Sequence, residues 1–287
     1  MAYKVGSPLI NTNPIFLAAS KILYLVAAII LTPVIETLYH FKVKGRRNLE
    51  LAGIMPGPAN HWRRKPCILI SNHVIPLDPV LQGIAIFPRS TYFTLLEESV
   101  LTPGLGTLIQ LLGGVPVPRS YRYLPKMDEA VRWALQHRGL IHFYPEGECF
   151  ILNQEIKEFK AGAFYYAIEN QVPIVPLVTV IKRPRTPART HITLQGHTTE
   201  HSSMAPGGAL PQHKKSDIIT AHLECVILPA IPPPPRSPSK VTNLHQSLQF
   251  AQTVRDTMQA TIDAEGGDKT LYRGPMPRIK GVNDKPR

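Results

Sequence analysis

Residues 66–87 read PCILISNHVIPLDPVLQGIAIF, and the pattern of side chains changes partway through. CILI (67–70) is an unbroken apolar run with the length of a strand buried on both faces. It stops at Ser71, Asn72 and His73. PVLQGIAIF (79–87) then fits a helix with proline at its start. Strand, turn and helix in succession is the repeating unit of α/β proteins. Ligands in such folds gather at the carboxyl ends of the strands, where this stretch places His73. Asp78 follows five positions later, close enough for the chain to turn back and face the ring. A carboxylate that holds one imidazole nitrogen leaves the other able to accept a proton. The plainer expectation is that Asp78 caps the helix and His73 bonds to backbone.

The same alternation runs along the chain. FKVKG (41–45) reads as an edge strand, and TYFTLL (91–96), GVPVP (114–118), GLIHFYP (139–145), VPIVPLVTV (172–180) and HLECVILPA (222–230) as further strands. THITLQG (190–196) is another candidate strand, inside a polar stretch rich in Pro and Gly over 182–217. Helical periodicity covers 125–138, 160–171 and about 243–264. Leu96, Leu101, Leu105, Leu108, Leu111 and Leu112 could line an apolar groove, but are expected to pack in the core, the usual fate of leucines at helical spacing. Residues 41–232 are expected to form one α/β domain, with a central, mostly parallel or mixed sheet flanked by helices. Residues 233–287 are expected to form a C-terminal helix and a basic flexible tail.

The first 40 residues differ. Lys21 and Glu36 bound an uncharged stretch, Ile22 to Ile35, that contains Pro33. It reads as a membrane-associated helical segment, short for a full crossing and better suited to lying in the interface. Lys42, Lys44, Arg46 and Arg47 follow, a basic cluster of the kind that marks a cytoplasmic membrane face. No small-residue cleavage site of a leader peptide follows the apolar run.

The chain has 287 residues, 44% hydrophobic, with a formal charge of +12. That balance favours an anionic partner. The basic residues, Arg63, Lys182, Lys214, Arg273 and Arg278 among them, scatter over loops and tail with no aromatic-rich motif, which argues for lipid over nucleic acid. Cys67, Cys149 and Cys225 form no C-x-x-C pair and sit in or near apolar runs, as buried reduced thiols do.

Three further strand ends carry polar residues. FYPEGE (143–148) offers Glu146, able to bind a hydroxyl or orient a cation, and Gly147, which permits an unusual turn. GGVPVPRS (113–120) ends in Arg119, and EFKAGAF (158–164) places Lys160 at a helix start. Two such cations converging with helix-end amides would suit a phosphate. No G-x-S-x-G is present and no cysteine stands beside His73, so any nucleophile activated there is the substrate's own hydroxyl.

In this order the motifs resemble those of the glycerolipid acyltransferases: FKVKGRRNL, then H-x4-D at His73 and Asp78, then GGVPVPR ending at Arg119, then FYPEG with Pro145, Glu146 and Gly147, then FKAGAF with Lys160 and VPIVPL around Pro176. The resemblance spans about residues 20–232. It implies direct transfer of a fatty acyl group, without an acyl-enzyme, from acyl-CoA or acyl carrier protein to the hydroxyl of a lysoglycerolipid. 1-Acylglycerol-3-phosphate is the first acceptor it suggests. It implies no metal and no cofactor beyond that co-substrate, with His73 and Asp78 catalytic and Arg119, Glu146, Gly147 and Lys160 binding substrate. Many members follow the third motif with a hydroxyl residue and an arginine; here Glu148 and Cys149 stand there. The anion would then fall to Arg119 and Lys160, with Arg122 or Lys157. A different lysolipid acceptor, or an inactive membrane-binding member of the fold, are the alternatives this departure raises.

Overall fold

A computed structural model describes residues 3–56, 65–183 and 222–277. The candidate strand at 190–196, and Arg63, Lys214 and Arg278, lie outside the described residues. Among the described residues the apolar runs form one seven-stranded sheet: β1 (Lys42–Lys44), β2 (Cys67–Ser71), β3 (Tyr92–Leu96), β4 (Gly114–Val117), β5 (Leu140–Phe143), β6 (Ile174–Lys182) and β7 (His222–Ile227). Their spatial order is β1-β7-β6-β2-β5-β3-β4. Neighbours pair in parallel except β6 with β7, so the sheet is mixed. Every residue of β2 and β5 is buried, as continuous apolar runs at the centre of a two-faced sheet require.

The helices are α1 (Pro14–Tyr39), α2 (Arg47–Leu51), α3 (Asp78–Ala85), α4 (Glu97–Leu101), α5 (Leu105–Leu111), α6 (Leu124–His137), α7 (Gly162–Asn170) and α8 (Lys240–Glu265). They cover both faces. One face packs Ile68, Ile70, Ile141 and Phe143 against α6, α7 and α8, through Val131, Phe164 and Val254. The other packs Cys67, Leu69 and Leu177 against Leu81 and Ile84 of α3 and Ile35 of α1.

Three expectations are corrected. First, α1 runs 26 residues, with Lys21 and Glu36 inside it rather than at its ends. At about 1.5 Å per residue that exceeds a hydrocarbon core of roughly 30 Å. Its mean hydropathy is 2.3 over the most apolar window, so length and composition both allow a crossing. The helix is also tied to the domain: the Tyr24 hydroxyl lies 3.1 Å from the carbonyl oxygens of both Gly83 and Arg89.

Second, Leu101, Leu105 and Leu108 are exposed, not core. The inner surface of α5 is Gly106 and Gln110, and Gly106 lies so close to the Val100 carbonyl that no side chain fits there. A short helix pressed in on its small residue turns its leucines outward.

Third, the C-terminal region is not an appendage. Phe250, Val254, Met258 and Ile262 of α8 belong to the main core, and Leu271 is buried on the opposite face. Residues 268–277 follow the domain surface instead of forming part of a flexible tail.

The end of β2 is locked by Asn72, which is 1% exposed. Its side-chain amide donates to the Thr179 carbonyl at 2.9 Å, and its carbonyl accepts from the Thr179 N–H at 2.8 Å. Asn72→Ala leaves the Thr179 N–H without this acceptor and its carbonyl with only the Gln154 amide at 3.4 Å, a loss of roughly 1–3 kcal/mol for the buried N–H. Urea unfolding should show a correspondingly lower midpoint with an unchanged slope.

Candidate active site

His73 leaves β2 as the chain turns toward α3, and its ring Nδ1 lies 2.8 Å from Asp78 Oδ2. The same oxygen accepts the backbone N–H of Val74 at 2.6 Å and of Ile75 at 2.9 Å. Asp78 is fully buried. The expectation that Asp78 caps α3 is therefore corrected. Leu77 occupies the cap position and Asp78 is the first helical residue, with Pro79 after it. The carboxylate instead closes the loop behind it, because two loop amides and the imidazole offer donors that α3 does not.

Glu146 reaches across from the loop after β5. Its Oε1 accepts the His73 backbone N–H at 2.9 Å and its Oε2 the Lys157 N–H at 3.0 Å. Burial pushes this carboxyl up to about 7, against the two amides, which favour the charged form. Both its oxygens are engaged by backbone, so Glu146 braces the histidine loop. Gly147 has φ +76°, and a side chain there would run into the Lys160 ammonium. The Lys160 N–H donates to the Pro145 carbonyl at 2.8 Å, which fixes that lysine over the turn.

The structure thus brings His73, Asp78, Glu146, Gly147 and Lys160 together. Arg119 lies two residues beyond β4. Its Nη1 pairs with Glu98 Oε1 at 2.7 Å, and its backbone N–H donates to Glu97 Oε2 at 3.2 Å. The Tyr3 hydroxyl holds the other Glu97 oxygen at 2.6 Å.

Beside His73 opens a cavity of about 400 Å³. Its walls are largely apolar, with Phe93, Leu95, Leu96, Ile109 and Leu112 among them. Gly147, Glu148 and Cys149 also line it, while among the described residues no lysine or arginine does. Burial raises the Cys149 thiol above its ordinary value, so the cysteine beside the cavity is held as an unreactive thiol.

Residues 40–180 match the family described as Acyltransferase. This stretch is an acyltransferase-family domain. The chain is 32% identical over 124 residues to human 1-acyl-sn-glycerol-3-phosphate acyltransferase beta, covering 42% of this chain and 44% of that protein. It is 30% identical over 118 residues to the 1-acyl-sn-glycerol-3-phosphate acyltransferase of Saccharomyces cerevisiae, covering 40% and 39%. Each match spans less than half of the relative's own length. Among solved structures, the 1-acyl-sn-glycerophosphate (LPA) acyltransferase PlsC of Thermotoga maritima aligns at a TM-score of 0.49 and 17% identity, over 85% of this chain and 82% of that one.

Two residues of the acyltransferase domain escaped the sequence reading. The Tyr144 ring stacks on His73 at 4.2 Å between centroids, and His142 meets the same tyrosine edge-on at 4.6 Å. Alternation along β5 is the signal that could have found them. His142 pairs in register with Leu69, so it and Tyr144 share the face from which His73 emerges. His142 is fully buried, and burial pushes its imidazole down to about 3, with His73 adding to the shift. It is therefore a neutral ring in the folded protein.

A neutral buried histidine makes stability depend on pH. Its folded value lies below the unfolded one of 6.5, so its contribution is intact above 6.5 and is lost as pH falls toward about 3. Between pH 6.5 and 4 the wild type should lose on the order of 3 kcal/mol more than His142→Leu, measured by denaturant melts of both proteins across that range. Glu146 works in the opposite direction, lowering stability as pH rises from 4.5 to about 7. Being present in both proteins, it cancels in the comparison.

Proposed function

We propose that this chain is an O-acyltransferase that moves a fatty acyl group from a thioester donor, acyl-CoA or acyl carrier protein, to the free hydroxyl of a lysoglycerolipid. The observation that carries this reading is the His73–Asp78 pair at the wall of a largely apolar cavity. With Nδ1–H donated to Asp78, Nε2 is the nitrogen left to act as base. In the proposed step Nε2 takes the hydroxyl proton and the oxygen attacks the thioester carbonyl. The tetrahedral oxyanion then collapses, the C–S bond breaks, and the thiolate leaves with or without the proton from His73. Backbone amides near a motif turn would meet the oxyanion. Asp78 orients the base, Glu146 braces the histidine backbone, and Gly147 keeps the turn open. Lys160 and Arg119 would serve the anionic part of a substrate.

The names of the relatives support 1-acylglycerol-3-phosphate as acceptor. A second reading, a lysolipid other than the phosphomonoester, is favoured by Glu148 at the cavity wall and by the pairing of Arg119 with Glu98. The basic cluster after α1 supports action at a membrane, on its cytoplasmic face.

General base action is worth roughly 10²–10⁴-fold, so His73→Ala should lower turnover by about that factor while melting close to the wild type. An acceptor panel with radiolabelled acyl-CoA, resolved by lipid chromatography, measures this and separates the two acceptor readings. Wild-type turnover by folded His73→Ala would remove the histidine from the mechanism. Absence of transfer to every acceptor, by the wild type, would favour an inactive member of the fold.

A further inference from the structure

Residues 268–277 lie beyond the matched family region, yet they run to the wall of the cavity. The segment is anchored where β6 ends. The Asp268 N–H donates to the Ile181 carbonyl at 2.9 Å, and Arg183 Nε pairs with Asp268 Oδ2 at 3.1 Å. Leu271 then inserts into the core. From there the chain follows the loop after β5. The Arg273 N–H donates to the Ile151 carbonyl and the Ile151 N–H to the Gly274 carbonyl, both at 2.9 Å, and the Met276 N–H donates to the Cys149 carbonyl at 2.7 Å. Gly274 has φ +94°, a conformation that favours glycine.

The opposite edge of the same loop is bonded to the base. The Phe150 N–H donates to the His73 carbonyl and the Leu152 N–H to the Val74 carbonyl, both at 2.8 Å. Residues 149–152 are therefore clasped between His73–Val74 on one side and this C-terminal strap on the other. Pro275 and Pro277 are exposed, while Met276 between them turns inward and lines the cavity that His73 lines.

We infer that the C-terminal strap is part of the substrate site, and that Met276 is a specificity-determining residue whose side chain contacts the alkyl chain of a substrate. The inference rests on the acyl-transfer reading above. An unbranched, polarizable thioether suits a hydrocarbon that arrives in many conformers. A larger side chain at this position shortens the space beside the base, and a smaller one lengthens it.

Two measurements on the full chain test this. Saturated acyl-CoA donors from 8 to 18 carbons, and lysolipid acceptors over the same range (about six lengths each), are assayed with wild type, Met276→Trp and Met276→Ala. Met276→Trp should depress kcat/KM for the longest chain relative to the shortest by about tenfold or more, and Met276→Ala should move the ratio the other way. Thermal melts establish that both variants fold. Independently of turnover, the ¹³C-methyl signal of Met276, assigned by its loss in Met276→Leu, should shift on titration with dodecanoyl-CoA or its lysolipid counterpart. Flat length profiles in both folded variants with an unmoved methyl signal would overturn the strap's role, even where wild-type turnover upholds acyl transfer. A shifted signal in a chain that transfers nothing would support the strap as a lipid-contacting wall and reject the transfer reading.

Discussion

One buried carboxylate oxygen organises the site. Asp78 Oδ2 takes the imidazole Nδ1 and two backbone N–H groups within 2.9 Å, in a residue with no exposed surface. Removing a carboxylate from water is costly unless donors replace the solvent, and here three do. The two amides fix the path of the loop, and the loop fixes where the ring stands. The chain between the last strand residue and α3 is as long as this wrapping requires. Pro79, directly after Asp78, starts the helix without needing the N–H it lacks.

Other parts of the molecule support that loop from behind. Glu146 holds the His73 amide, Tyr144 stacks on its ring, and the N–H groups of Phe150 and Leu152 donate to the His73 and Val74 carbonyls. The C-terminal strap grips the far edge of residues 149–152. Segments from both ends of the chain thus converge on the cavity region: Tyr3 fixes Glu97, which holds the Arg119 amide, and Met276 closes the wall. α1 joins through Tyr24, whose hydroxyl reaches the carbonyl of Gly83 on α3. An apolar helix is thereby bonded to the helix that begins at Asp78.

The strands and the His73–Asp78 pair were legible because each depends on local pattern: an apolar run, then a polar stop at a strand end. What was not legible depends on contacts distant in sequence. Asp78 looked like a cap because a carboxylate before proline at a helix start commonly is one; only the folded loop shows donors nearer at hand. Leu105 and Leu108 looked like core because helical spacing does not say which face turns inward, and Gly106 decides that for α5. His142 and Tyr144 were hidden in a strand that reads as ordinary core, where alternation alone marks them. Met276 could not be read at all, since the pairing of residues 273–276 with 149–151 joins positions more than a hundred apart and follows no periodic signal.

In the proposed mechanism Asp78 holds the His73 ring with a proton on Nδ1 and leaves Nε2 bare. Heteronuclear ¹H–¹⁵N correlation spectra of the histidine-labelled protein in lipid nanodiscs at mildly alkaline pH read this directly. The account predicts a slowly exchanging Nδ1–H for His73, shifted downfield by its bond to the carboxylate, beside an unprotonated Nε2. An Nε2–H tautomer at His73, or a ring averaging freely between the two, would contradict it.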